Sequence, residues 1–165
     1  MGVQLGKVRI GDWVKVHYRA RIASTGKECL DTYLAASLTQ FQVKENSAAE
    51  YTGLYRGLNE CVKTMIFGEE SRFIIPSEYA FGSEGLTKAL IMKSNGKQKF
   101  KPDHVDRNPS GVSLNEIGPY EDLVVDLAVF KLARNGTWHY RAISKENTHT
   151  GCLGCINSRY HSSIT

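Results

Sequence analysis

No stretch of the chain approaches the roughly 20 consecutive apolar residues that a membrane-spanning helix needs. The opening residues, MGVQLGKVRIGDW, hold no apolar core of signal-peptide length. A cytoplasmic protein with no membrane partner is therefore expected. Lipid anchoring has no support either: Gly6 stands where a myristoylation signal needs Ser or Thr, and the terminal HSSIT has no prenylatable cysteine. Cysteine is scarce, at positions 29, 61, 152 and 155, which excludes a secreted scaffold built on disulfides. Cys29 and Cys61 lie in apolar segments, where a reduced, buried thiol is the usual occupant. Charge excess is small: 21 Lys and Arg against 17 Asp and Glu give +4, too mild for a dedicated nucleic-acid binder, so no nucleic-acid partner is expected. Internal repeats are absent.

The 165 residues, 41% apolar and 23% charged, suffice for one hydrophobic core and are too few for two. Asp12 to Ile22 alternates, with Val14, Val16, Tyr18, Ala20 and Ile22 on one face and Trp13, Lys15, His17, Arg19 and Arg21 on the other; this predicts a half-buried strand. The small, polar segment Ala23 to Gly26 predicts a reversal into a second extended piece around Cys29, Leu30 and Asp31. Phe41 and Val43 mark a further strand within 40–44, followed by a polar connection through Asn46, Ser47 and Ala48. From Leu54 the period becomes helical through Leu58, Cys61, Val62 and Met65, and Gly68 follows as a stop. Strands are predicted again over 70–75, ended by Pro76, and over 122–132. Strands interleaved with one helix predict an antiparallel sheet with that helix on a single face, an α+β arrangement.

Residues 87–120, rich in lysine and turn residues, read as an insertion before the last long strand; Lys88, Lys93, Lys97, Lys99 and Lys101 fit a solvated loop best. The domain is accordingly expected to span 1–134, and 135–165 to form a tail, partly disordered, with one strand-like piece over 137–143. Asn135, Gly136 and Thr137 read as a turn. In the tail, His149, Cys152, Cys155 and His161 have the donor types of a zinc site, but no surrounding scaffold would hold a tetrahedron, so no metal is expected.

Five blocks stand in order: VKVHYRARI, GKECLD, YRGLNECVKTM, GEESRFIIPSEYAFG and DLVVDLAVFKL. Together they resemble the FKBP-type peptidyl-prolyl isomerases in order, spacing and local sequence. The resemblance implies an FKBP-like antiparallel half-barrel sheet wrapped around one short helix, with an apolar pocket between them. It also implies isomerisation of Xaa-Pro bonds, proline-containing protein clients, a role in protein folding, monomeric action and no cofactor. A looser similarity, to the FKBP-like domain of aryl-hydrocarbon-receptor-interacting protein, which also has leucine before its aspartate, adds chaperone complexes as partners. The alternative carried by that similarity is a non-catalytic protein-binding or co-chaperone module.

Carried over position by position, the resemblance implies catalytic roles for Tyr18, Asp31, Tyr55 through its backbone amide, and Phe81. It implies substrate-binding walls from Leu30, Phe41, Leu54, Leu58 and Val125. Several positions depart from the family pattern. Leu30 and Val125 stand where phenylalanine is usual, Leu58 where tryptophan is frequent, Tyr55 where Ile or Val is usual, and Phe81 where a tyrosine supplies a hydroxyl. Taken without the resemblance, Tyr18 and Asp31 read equally as a structural pair on neighbouring strands, and the apolar positions as ordinary core. Weakened catalysis is the expectation.

Overall fold

The computed structural model describes residues 5–34, 36, 38–86, 112–113, 115–140, 148–152 and 160–161. The alternation read from the sequence forms strand β1 (Trp13–Ile22), whose Val14, Val16, Tyr18 and Ala20 are fully buried. The chain reverses at Gly26, in the left-handed region at φ +74°, and returns as β2 (Glu28–Asp31), antiparallel to β1. β3 (Thr39–Gln42) pairs with the other end of β1. The long strand β6 (Leu123–Arg134) runs antiparallel along the opposite edge of β1, from Trp13 beside Ala133 to Ile22 beside Leu123. β4 (Glu70–Ile75) pairs with the first half of β6.

Helix α2 (Leu54–Lys63) lies against the concave side of this sheet. Its Leu54, Leu58, Cys61 and Val62 are fully buried in one cluster with Val16, Phe73 and Leu127. The spacing of those apolar residues turns a single stripe toward the strands, as the sequence predicts. Gly57 permits the contact: a Cβ there would stand 2.7 Å from both Ile75 Cγ2 and the Tyr79 carbonyl oxygen.

The connection through 46–48 contains a helical turn that the sequence reading lacks, α1 (Ser47–Glu50), started by the Asn46 side chain accepting the Ala49 N–H at 3.3 Å. Four residues are too few for a periodic signal; tertiary contacts hold the turn. Buried Asn59 on α2 donates to Ser47 Oγ at 2.5 Å, and clasps Lys44 by accepting its N–H and donating to its carbonyl, both at 2.9 Å. A single 3₁₀ turn, Ser77–Tyr79, follows Pro76.

Beyond residue 134, where the tail is expected to begin, the chain continues in strand pairing. β6 turns at Asn135 and Gly136, with φ +53° and +79°, into β7 (Thr137–Tyr140), which pairs back on β6. Positive φ at both central residues is the two-residue hairpin geometry that Asn-Gly favours. β8 (Thr148–Cys152) adds parallel to the outer edge of β4, and β9 (Tyr160–His161) pairs with β8. An open strand edge offers unpaired N–H and C=O groups, and these tail segments satisfy them. The remaining tail residues lie outside the described ones, as do the side chains of His149, Cys152, Cys155 and His161 and the lysines of 88–101. Of the insertion only 112–113 and 115–120 are described: Ile117 exchanges backbone hydrogen bonds of 2.8 and 3.0 Å with Leu86, and β5 (Val112–Ser113) pairs with β2.

At an exposed helical site Gly→Ala stabilises by about 1 kcal/mol. At Gly57 the sign should reverse, because the added methyl meets backbone as well as side chain. Gly57→Ala is expected to lower stability by about 1–3 kcal/mol, read from urea unfolding midpoints. A stabilised variant would mean that α2 does not sit this close to β4.

Candidate functional site

The nine residues singled out in the sequence come from six places in the fold. Tyr18 lies at the middle of β1, Leu30 and Asp31 end β2, and Phe41 stands on β3. Leu54, Tyr55 and Leu58 occupy the first half of α2, Phe81 follows the 3₁₀ turn, and Val125 lies on β6. The eight apolar and aromatic members belong to one contiguous buried cluster, and none of the nine is more than 6% exposed. They are therefore closely packed core positions on the side of the sheet that α2 covers.

Asp31 is held by its own chain. Its Oδ1 accepts the N–H groups of Tyr33 and Leu34 at 2.8 and 3.2 Å, and its Oδ2 lies 3.3 Å from Arg19 Nε. Arg19 in turn sits over the Tyr33 ring, 4.7 Å from its centroid. A carboxylate so engaged fixes the end of β2; it is not arranged as a proton carrier. Thr32, which sequence reasoning missed, pins the neighbouring strand: its Oγ1 accepts the Tyr18 N–H at 2.8 Å and donates to the Tyr18 carbonyl at 3.2 Å. His17 Nδ1 lies 2.8 Å from the same oxygen. Nothing in the local sequence marks a threonine for this role.

Aromatic rings close the other side. Tyr55 stacks on Tyr51, centroids 5.9 Å apart at 24°, and both meet Phe41 edge-on at 6.1 Å. Tyr51, also missed, anchors through its hydroxyl, which donates to the Gln42 carbonyl at 2.5 Å. Its position in a polar connection carried no periodic signal. The backbone N–H of Tyr55 belongs to the first turn of α2. Phe81 also walls a neighbouring cleft of about 250 Å³ shared with Thr52, Gly53 and Arg56.

Burial dominates the electrostatics. It pushes the Tyr18 phenol well above its usual range, with smaller contributions from Tyr55, Cys29 and Asp31 nearby. Burial likewise raises Tyr51 and Cys29, each to about 12, and lifts Cys61 well above the ordinary thiol value. His17 is lowered, burial outweighing the opposing charge of Asp31. The cluster is thus a closely packed apolar core in which the Tyr18 and Tyr51 phenols stay protonated across the neutral range. Among the described residues no group of three or more His, Cys, Asp or Glu could hold a metal ion.

Similarity to known proteins shows the family and the fold. Residues 6–101 match the family model of the FKBP-type peptidyl-prolyl cis-trans isomerases. Over 76 residues the chain is 32% identical to FK506-binding protein 2 of Aspergillus oryzae, an alignment covering 46% of this chain and 52% of that protein. The chain thus spans about half the length of this curated relative. Among solved structures, it is similar to the three FKBP domains of wheat FKBP73, with a TM-score of 0.52 at 18% identity, covering 81% of this chain and 44% of that one. Similarity to FkpA from Escherichia coli has a TM-score of 0.47 at 19% identity, over 80% of this chain and 45% of that one. At such identities the wheat structure speaks for the fold alone, and the weaker match adds nothing to it.

The thiols supply a test of the enclosure. Folded Cys29 and Cys61 hold their protons more tightly than unfolded cysteine, so their stabilising contribution is full below about pH 8.5 and is lost as pH rises above it, for Cys29 toward about 12. Urea midpoints should stay level to about pH 8.5 and fall above it. Peptide mapping after iodoacetamide at about pH 8 should show Cys29 and Cys61 protected in the native protein and modified after unfolding. Rapid native modification of either would contradict the packing.

Proposed function

The chain belongs to the FKBP-type peptidyl-prolyl cis-trans isomerase family, and from that premise we propose that it isomerises Xaa-Pro bonds in cytoplasmic protein clients, at a reduced rate. The observation that carries the reading is the concave-side cluster, in which Tyr18, Phe41, Leu58, Phe81 and Val125 converge with the first turn of α2. Rotation about an Xaa-Pro bond crosses a barrier of about 20 kcal/mol because amide resonance must be lost. The twisted amide is less polarised than the planar one, so an apolar enclosure favours it relative to water. The Tyr55 N–H would hold a flanking carbonyl. Tyr18, protonated throughout the neutral range, adds a buried phenol. No nucleophile or proton transfer enters the reaction.

Two features account for the reduced rate. Phe81 carries no hydroxyl, and one lost hydrogen bond costs roughly 0.5–1.5 kcal/mol, up to about tenfold in rate. The walls are also tightly packed, none more than 6% exposed, so a client must part them to enter. That second feature favours an alternative reading, a module that binds partner proteins, co-chaperones included, without turnover.

Protease-coupled or NMR exchange assays on Xaa-Pro peptides test the proposal. Phe81→Tyr should raise kcat/KM a few-fold, in keeping with a regained hydrogen bond of about 1 kcal/mol, and Phe81→Ala should lower it. With no acid-base pair engaged and His17 lowered by burial, the rate should be level between about pH 6.5 and 8. If neither the unmodified protein nor Phe81→Tyr accelerates the reaction at high enzyme concentration, the isomerase reading fails and the binding module replaces it.

A further inference from the structure

The outer face of the sheet, opposite α2, carries a pattern that the isomerase reading does not use. Register places Trp13, Ala133 and Trp138 side by side across β1, β6 and β7. The next row along the strands is Lys15, Lys131 and Tyr140. Because alanine stands between the two indoles, they wall a groove of about 450 Å³, which Gly11, Gln40, Asn135 and Gly136 also line.

Strands lie about 4.8 Å apart, so two spacings separate the tryptophan backbones by about 9–10 Å. A saturated ring in contact with an indole on each side takes about 3.5–4 Å per side, which the groove accommodates. The second row sets the charge of the occupant. Lys15 and Lys131 stand directly opposite each other, a destabilising like-charge pair. Their ammonium groups rest on aromatic faces, Lys15 at 4.8 Å from Trp138 and Lys131 at 4.9 Å from Tyr140. Among the described residues neither lysine reaches a carboxylate, and none lines the groove.

We propose that this groove docks a polyproline-II segment of a partner protein, with one proline ring between Trp13 and Trp138 and an Asp or Glu against Lys15 and Lys131. The rows lie about 7 Å apart along the strands. A polyproline helix rises about 3.1 Å per residue, so the acidic residue falls two or three positions from the inserted proline. The backbone carbonyls of such a helix are unpaired, and the Gln40 and Asn135 amides can donate to them. The inference goes beyond the isomerase reading and does not use its pocket. Where both hold, the groove adds a second contact for proline-bearing clients and raises their effective concentration at the pocket. A nucleobase would also fit between two indoles, but two lysines are few beside the phosphate contacts that nucleic-acid affinity draws on.

Trp13 and Trp138 are the only tryptophans among the 165 residues, so intrinsic tryptophan emission reports on this groove and is silent about turnover. The full chain is titrated with a nine-residue proline peptide carrying one Asp, with the same peptide carrying Lys instead, and with a ten-base oligothymidine. The Asp peptide should shift the emission saturably and bind about tenfold more tightly than the Lys peptide. Ala133→Leu, which fills the groove and keeps both indoles, should weaken it by about tenfold. Lys131→Glu, which sets a carboxylate opposite Lys15, should remove the preference for the Asp peptide, and Lys15→Glu combined with Lys131→Glu should invert it toward the Lys peptide, a result that misfolding cannot produce. No saturable shift at millimolar peptide, equal affinity for the two peptides, or failure of Lys131→Glu to alter the preference would overturn the proposal. Tighter binding of the oligothymidine at the same ionic strength would assign the groove to single-stranded nucleic acid instead. Isomerase assays run in parallel keep a failure of the pocket distinct from a failure of the groove.

Discussion

At Gly57 helix α2 comes so close to the end of β4 that the space a side chain would need is already filled by Ile75 and the Tyr79 backbone. This approach orders much else. It sets the first turn of α2 beside the 3₁₀ turn, so Phe81 follows directly beyond the helix start, and it carries Leu58 and Val62 into the concave side. A bulkier residue would lift the helix and open the volume that Tyr18, Phe41 and Val125 close from the strands. Close packing of this kind couples stability and site geometry, since both rest on the same few contacts.

Buried polar groups supply the positional detail that apolar packing lacks. Asn59 joins α2 to the chain after β3 through Lys44, and to α1 through Ser47. At the far end of the sheet, Arg134 clasps buried Asp12 through two hydrogen bonds of 3.0 and 2.7 Å and also donates to the Leu5 and Lys7 carbonyls. The chain before β1 is thereby tied to the last turn of β6. Bidentate, charge-assisted contacts fix orientation as well as distance. Thr32 plays the corresponding part at Tyr18. In each case the polar group is satisfied and directional, so it selects one arrangement among several that the apolar core alone would tolerate.

The two faces of the sheet are chemically different surfaces built from the same strands. On the concave side, alternate residues of β1 and β6 pack with α2 into the apolar core. On the outer side, the intervening residues set cations against aromatic rings: Arg19 on Tyr33, Lys15 on Trp138, Lys131 on Tyr140. His17, Tyr33 and Phe130 extend the aromatic surface, with His17 stacked on Tyr33 at 4.3 Å. Period-two alternation makes such a division available to any sheet with one side covered. Here the uncovered side is unusually rich in rings, which bind flat or puckered groups well and water poorly.

The sequence by itself determined β1, β4, β6 and α2, because each carries a periodic apolar pattern long enough to be read locally, and the ordered blocks of the family resemblance supplied their mutual arrangement. Of the nine residues it singled out, the fold brings the eight apolar and aromatic ones into the buried core and buries Asp31 at the end of β2. Local pattern could not reach α1, too short for a period, or Thr32 and Tyr51, whose parts depend on partners fourteen and nine residues away. Nor could it reach the pairing of β7 with β6 and of β8 with β4, or the row that puts Ala133 between Trp13 and Trp138. Those features are set by register and by which strand edges are left open. Both are decided only when distant segments meet, since a shift of a single residue would turn every one of these side chains to the other face.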